Sequence, residues 1–418
     1  MGRRDMKNLL VILLVIVFPA GVIAAMDNEA TVDSLLQGLK NKSYRTAWSS
    51  VEKLAEFPLE KERIVPVLIE ALGYEWEECT GDIRQGIAYT LAALKAKDGV
   101  FPMLALLKKG GDTSHSCAEC GCCFNALSVG DVFEERNLDP FCENGVLKAI
   151  DQLADFSHSK AIADLITEGK HRTELLITLG KVGPPRYAHF ISRFRNDNSA
   201  EVRRGVAVAL GLIDNEEVSV PVLTGYMSKT GEVFLVRWDA SDSLINIGSK
   251  RANPGLRVRM ADLLKSQDDT TAALAGRVLS RLGDERGLLR LRELASRGDW
   301  ESILYLGEAQ DAGARELLVG KLKEENLAVR AVAIFSLGRI GDASTVPLLK
   351  EAFEDSIHVT KSMEEKRKQG VSEQDLAARY GYSRGGRDVL QATLYEAIDS
   401  IEKRTGPLPP ATRNPGSQ

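Results

Sequence analysis

Aromatic residues are scarce. Phe, Trp and Tyr make up 6% of the 418 residues, and only four are tryptophan. Few aromatics with much Ala and Leu suit close helix packing and argue against a β-sandwich. A surplus of positive charge is missing too. Lys and Arg number 54 against 59 Asp and Glu, a net charge of −5. No nucleic-acid partner is expected from that balance. Histidine occurs five times, and no catalytic fingerprint appears: no Gly-x-Ser-x-Gly, His-Glu-x-x-His, phosphate-binding loop or dinucleotide glycine pattern. Past Ala25 no apolar run reaches membrane length.

The first 25 residues do carry such a run. Arg3, Arg4 and Lys7 precede an uncharged stretch from Leu9 to Ala25 that ends in small residues. This is the layout of a secretory signal peptide cleaved after Ala24 or Ala25, with an uncleaved anchor as the alternative. Export to a periplasmic or extracellular compartment follows as an expectation. The mature chain then has no stable membrane span, and disulfides can form in it.

Internal similarity dominates the rest. Glu201–Asp214, "EVRRGVAVALGLID", aligns with Ala328–Asp342, "AVRAVAIFSLGRIGD", and with Leu235–Gly248, "LVRWDASDSLINIG". Looser copies begin at Thr173, Gly276 and Glu301. The marker leucines Leu179, Leu210, Leu244, Leu279, Leu306 and Leu337 are spaced 31, 34, 35, 27 and 31 residues apart. Leu54, Leu91, Leu127 and Leu153 extend the series upstream in weaker form. Val202, Val206, Ala209 and Leu210 form one apolar helical stripe. Gly and Asp are expected to break each helix, and a second helix follows, with Pro221 and Pro347 near the starts of two of them. One hairpin cannot bury its stripe alone, so the reading is all-α: a solenoid of stacked antiparallel hairpins.

The recurring Val-Arg…Ala…Leu-Gly-x-Ile-Gly-Asp pattern resembles HEAT repeats, and especially the short HEAT-like units of phycobilisome lyases. The resemblance is strong in two or three units, extends over most of Lys170–Ser356 and is faint in the N-terminal third. It implies a protein- or peptide-binding scaffold. One HEAT-like enzyme family, deoxyhypusine hydroxylase, holds two irons with repeated His-Glu pairs. Here Ser, Ser, Arg, Phe and Val follow the five histidines, which removes that reading. Bilin lyase chemistry is a weaker alternative, since it needs a bilin partner in the same compartment.

The expected organisation is a signal peptide over 1–25, HEAT-like repeats over 27–109, a cysteine-rich insertion over 110–143, repeats over 144–404 interrupted by a charged loop at 357–388, and a disordered tail over 405–418. Within the charged loop, Ser372–Leu390 resembles a bacterial helix-turn-helix. Gly385-Gly386 interrupts its would-be recognition helix, and the plainer reading is a charged helix, a Gly-rich turn and a repeat helix.

Two sets of residues are singled out. The first is Cys79, Cys117, Cys120, Cys122, Cys123 and Cys142. An even count in an exported chain favours a disulfide staple with no cofactor. The alternative is a metal or thiol-redox site, in which His115, Cys117, Cys120, Cys122 and Cys123 hold Zn or Cu(I). A second Cys-x-x-Cys at a distance, which a strong zinc signal needs, is absent. The second set is Arg203, Arg237 and Arg330, which recur after the stripe valines, and Trp238. The arginines either brace neighbouring repeats or form an anionic-ligand ladder, and Trp238 either packs between repeats or anchors a partner. The function expected is a non-enzymatic exported scaffold for a protein or peptide partner.

Overall fold

The computed structural model describes residues 31–41, 43–76, 80–110, 145–251, 253–381 and 386–406. They form α-helices and short 3₁₀ turns, with no strand among them. The architecture is an all-α solenoid. The helices are α1 (31–39), α2 (Tyr44–Leu54), α3 (Lys61–Ala71), α4 (Thr80–Ala93), α5 (Val100–Lys109), α6 (Gly145–Leu153), α7 (Ser159–Thr167), α8 (Arg172–Val182) and α9 (Tyr187–Ser192). There follow α10 (Ala200–Leu212), α11 (Glu216–Ser228), α12 (Phe234–Lys250), α13 (Pro254–Leu263), α14 (Asp269–Arg281), α15 (Glu285–Ser296), α16 (Trp300–Glu308), α17 (Arg315–Lys321), α18 (Leu327–Ile340), α19 (Val346–Lys368), α20 (Glu373–Tyr380) and α21 (Gly386–Thr405).

The described residues fall into two compact units, divided after Tyr187. In the first, α2, α4, α6 and α8 pack each on the next, while α3, α5 and α7 lie against that row. In the second, α10, α12, α14, α16, α18 and α21 form a row of successive contacts, and α11, α13, α15, α17 and α19 lie against it. All six marker leucines from Leu179 to Leu337 lie in the row helices and are fully buried.

The glycine of the Leu-Gly pair does not always break its helix, although Gly283 does end α14 in the left-handed conformation. Gly211 and Gly307 lie inside α10 and α16, and a Cβ on either would collide with Ser243 or Ser336 of the next row helix. Those serines donate back across the contact, Ser243 Oγ to the Ala207 carbonyl and Ser336 Oγ to the Ile303 carbonyl, both at 2.9 Å. The motif therefore marks where two row helices touch backbone to side chain. Helices end instead at Ile213 and Gly341, which turn extended. The aspartate after the motif starts the next element: Asp284 caps α15, and Asp342 closes a capping box at 343–345. Pro347 sits in the first turn of α19 as expected, but Pro221 lies inside α11, well past its first turn.

The stretch 357–388 differs from the expected loop. α19 runs unbroken to Lys368, and α20 folds back onto it. Met363, Leu376 and Tyr380 form a small core there, with Val359 against it. Leu376 and Tyr380 are one helical turn apart, a stripe wide enough to bury against a single neighbour. Gly381 then ends α20 in the left-handed conformation.

Candidate functional site

The candidate disulfide residues Cys79, Cys117, Cys120, Cys122, Cys123 and Cys142, together with His115, lie outside the described residues, as do the signal segment and the tail from 407. Among the described residues no group of three or more His, Cys, Asp or Glu could hold a metal ion.

The repeat arginines lie within the described residues, and each is engaged by the fold. Arg203 donates to the carbonyls of Asp197 and Asn198 and forks onto Glu232. Burial works against the Glu232 charge, but hydrogen bonds from Arg203, the Val233 N–H and Lys229 outweigh it and hold the carboxyl down at about 2. Arg237 donates to the Met227 carbonyl, to Asp268 and to Thr271. Arg330 donates to the carbonyls of Glu324 and Ala352. Arg84 in the first unit does the same with Leu72 and Tyr74. In each case a guanidinium donates to backbone carbonyls, most of them in loops or at helix ends.

Trp238 belongs to a cluster built by α12, α14 and α16. Its centre is Arg277 on α14, 2% exposed. Arg277 Nε donates to Glu308 Oε2 at 2.8 Å, Nη1 to Ser241 Oγ at 2.7 Å, and Nη2 pairs with Asp242 at 2.6 Å. Its Cζ lies 4.1 Å from the centre of the Trp238 ring and 5.3 Å from that of Tyr305. α14 reads "DTTAALAGRVLSR", and its small residues let α12 and α16 close over it. The aromatics of those two helices meet directly: Trp238 with Tyr305 at 5.4 Å and Phe234 with Trp300 at 6.1 Å between centroids. Phe234 and Trp238 also touch, at 5.7 Å.

The cluster has a buried and an open end. Tyr305 is fully buried, and burial raises its hydroxyl well above its usual range. Trp300 is 43% exposed, and Val233 and Leu235, which flank Phe234 in the sequence, are exposed as well. Glu301, next to Trp300 in α16, is 7% exposed, and its Oε2 has no hydrogen-bond partner. Burial, reinforced by Asp299 and Asp268 and only partly offset by Arg237, pushes its carboxyl up to about 7. Of this cluster the sequence pointed to Trp238 alone. Arg277, Glu301, Tyr305, Phe234 and Trp300 were passed over, because Gly276–Asp284 and Glu301–Ala309 read as ordinary repeat copies. The available signal was an arginine inside the otherwise small and apolar stripe of α14.

Residues 299–363 match the family model for HEAT repeats. Among curated proteins none matches the sequence. Solved structures with a related course of the chain include an engineered protein from a structural genomics consortium, at 18% identity and TM-score 0.33, covering 89% of this chain and 98% of that one. A mutant of Kap121p aligns at 16% identity and TM-score 0.45, covering 77% of this chain; this chain spans 38% of that one. Human deoxyhypusine hydroxylase aligns at 14% identity and TM-score 0.23, covering 91% and 99%. At those scores the likenesses carry no argument about function. The repeat assignment rests on the matched segment and on the helical row itself.

Proposed function

We propose that this chain is a non-enzymatic HEAT-type scaffold that binds a protein or peptide partner along the row helices of its second unit. The observation that carries this reading is the open end of the aromatic cluster. Val233 just before α12, Leu235 on α12 and Trp300 at the start of α16 expose large apolar side chains, while Val236, Leu244 and Ile247 of α12 and Ile303 and Leu306 of α16 are buried. Exposed large apolar side chains on a rigid base are the kind of surface that anchors a partner. Arg277 and its partners supply the rigidity, since each of its polar contacts ties α14 to a neighbouring row helix.

The test is selection of a random peptide library on the immobilised protein. Enriched peptides that lose binding to the Trp300→Ala variant support the reading. Failure to enrich any sequence, or enrichment indifferent to Trp300, overturns it.

The location follows from the N-terminal segment. Its charged start, apolar run and small-residue end support export, and Cys79, Cys117, Cys120, Cys122, Cys123 and Cys142 then serve as a disulfide staple. No helix among the described residues is long and apolar enough to cross a membrane. Protein from an oxidising compartment with no free thiols and no bound metal supports the staple. Free thiols with about one zinc or copper per chain would instead make this loop a metal site.

A further inference from the structure

A pocket of about 370 Å³ opens on α11, a helix that lies against the row and not in it. That volume falls within the range of small-molecule sites. The lining is mostly apolar. Pro221, Val222, Gly225 and Tyr226 supply it from α11, and the turn after α9 contributes Arg195 and Asn196. Pro221, Val222, Gly225 and Lys229 stand at i, i+1, i+4 and i+8, which is one face of a helix. The Tyr226 hydroxyl donates to the Arg195 carbonyl at 2.8 Å and so ties α11 to that turn.

Packing within the fold does not account for this face. Proline and glycine are the residues least favoured inside a helix. Gly211 and Gly307 are required by the close approach of a neighbouring helix, but a Cβ on Gly225 would meet no atom within 4 Å. Gly320 of α17 has the same freedom, yet it stands one residue from its helix's end. At Gly225 the missing side chain leaves open space in the pocket wall. The charged residues of the lining are Arg195 and Lys229, both exposed cations. Arg195 donates to the Ser192 carbonyl and pairs with no carboxylate among the described residues. Burial raises the Tyr226 hydroxyl above its usual range, and the Arg203 and Arg195 charges pull against that rise, so the Arg195 guanidinium acts on a lining side chain. Lys229 Nζ lies 3.1 Å from Glu232 Oε2, but Arg203 already forks onto that carboxylate. The other acid nearby, Asp197, accepts from the Ser199 N–H, and neither acid lines the pocket.

We propose that this pocket binds a small monocarboxylate, a compact apolar body such as one aromatic ring bearing a single carboxylate. The apolar body lies against the Pro221, Val222 and Gly225 face, and Arg195 and Lys229 hold the carboxylate. Two cations and no acid on the lining select against a cationic ligand, and a neutral one leaves both charges unanswered. The site adds to the scaffold reading and does not depend on it, since none of its residues belongs to a row helix.

The probes are phenylacetate, phenylpropionate and phenylbutyrate, which set a carboxylate at three distances from one ring, each paired with its primary amide. They are titrated calorimetrically against the full chain at low and high salt. Expected is saturable binding of at least one carboxylate, weakened by salt and weakened about tenfold or more in its amide, in Arg195→Gln and in Lys229→Gln. Gly225→Phe fills the pocket from a position where the fold leaves room, so it should keep its Tm and abolish binding. Gly320→Phe is the control and should bind as the wild type does. The proposal is overturned if no carboxylate binds the wild-type protein, if amide and carboxylate bind equally, or if folded Gly225→Phe still binds. Undiminished binding in both Arg195→Gln and Lys229→Gln also overturns it. None of these results touches the scaffold reading, which the peptide selection judges.

Discussion

Arg277 and Glu301 lie on neighbouring helices of one cluster and have opposite consequences for stability. Arg277 is buried with its charge matched by Glu308 and Asp242 and its faces covered by Trp238 and Tyr305. Replacing it by Met leaves two carboxylates without their cation. The expected cost is about 3–5 kcal/mol, read as a shift in the chemical denaturation midpoint. Glu301 is buried with its charge poorly matched, and its carboxyl sits at about 7 where 4.5 is ordinary. Between those two values the folded chain holds a proton that the unfolded chain has released. Stability contributed by this group therefore falls as pH rises through that window. Glu301→Gln should flatten that limb and stabilise the protein at pH above about 7, by about 1–2 kcal/mol after allowance for solvent screening. Denaturation curves across the window, wild type against variant, check this; an unchanged slope would show that the carboxyl is not the titrating group. Glu232 works in the other sense. Its carboxyl is held at about 2, so its stabilisation is present above about 4.5 and is lost as pH falls toward 2. Glu232→Gln should remove that acid limb and leave the one near neutrality intact.

Elements here are set by contacts between row helices more than by propensity. Glycine inside a helix usually costs up to about 1 kcal/mol relative to alanine, so Gly→Ala in a helix is ordinarily stabilising. At Gly211 the reverse is expected, because the new Cβ would run into Ser243 of α12. Gly211→Ala should cost about 1–3 kcal/mol, as overpacking does. The same change at Gly225 of α11, where a Cβ meets nothing, should be neutral or stabilising. Thermal melts of the two variants side by side decide between close approach and simple helix breaking as the role of the Leu-Gly glycine. Leu337, fully buried in α18, should cost about 2–5 kcal/mol on change to Ala. The hairpin of α19 and α20 is an element the sequence disguised. Its charge density and the glycines Gly370, Gly381, Gly385 and Gly386 read as a loop, yet Met363, Leu376 and Tyr380 are enough to dock one helix on the other.

At the scale of the molecule, two compact units follow one another along the chain, each with its own row of helices and its own buried leucines. A chain of 418 residues built this way is not expected to unfold in one step. Calorimetry should show more than one transition, and Leu337→Ala should lower only the transition of the second unit. A single transition displaced as a whole would show that the two units unfold together.

The sequence by itself determined the repeat. A period of 27–35 residues, with leucines on one face and Gly and Asp at the turns of several copies, can be satisfied only by stacked hairpins, because each hairpin exposes the stripe that the next one covers. It also singled out Arg203, Arg237 and Arg330 as equivalent, since equal positions in equal repeats meet equal loops. Tertiary structure alone decided what those repeats surround. Phe234, Thr270, Arg277, Trp300 and Glu301 come from three repeats, each reading as an ordinary copy. Only the packing of α12 and α16 over the small-residue helix α14 brings them together. Periodicity reports which face of a helix is buried, but not which charges from different helices meet there. For that reason the helical array could be read from one line of sequence, while the matched Arg277 and the poorly matched Glu301 could not.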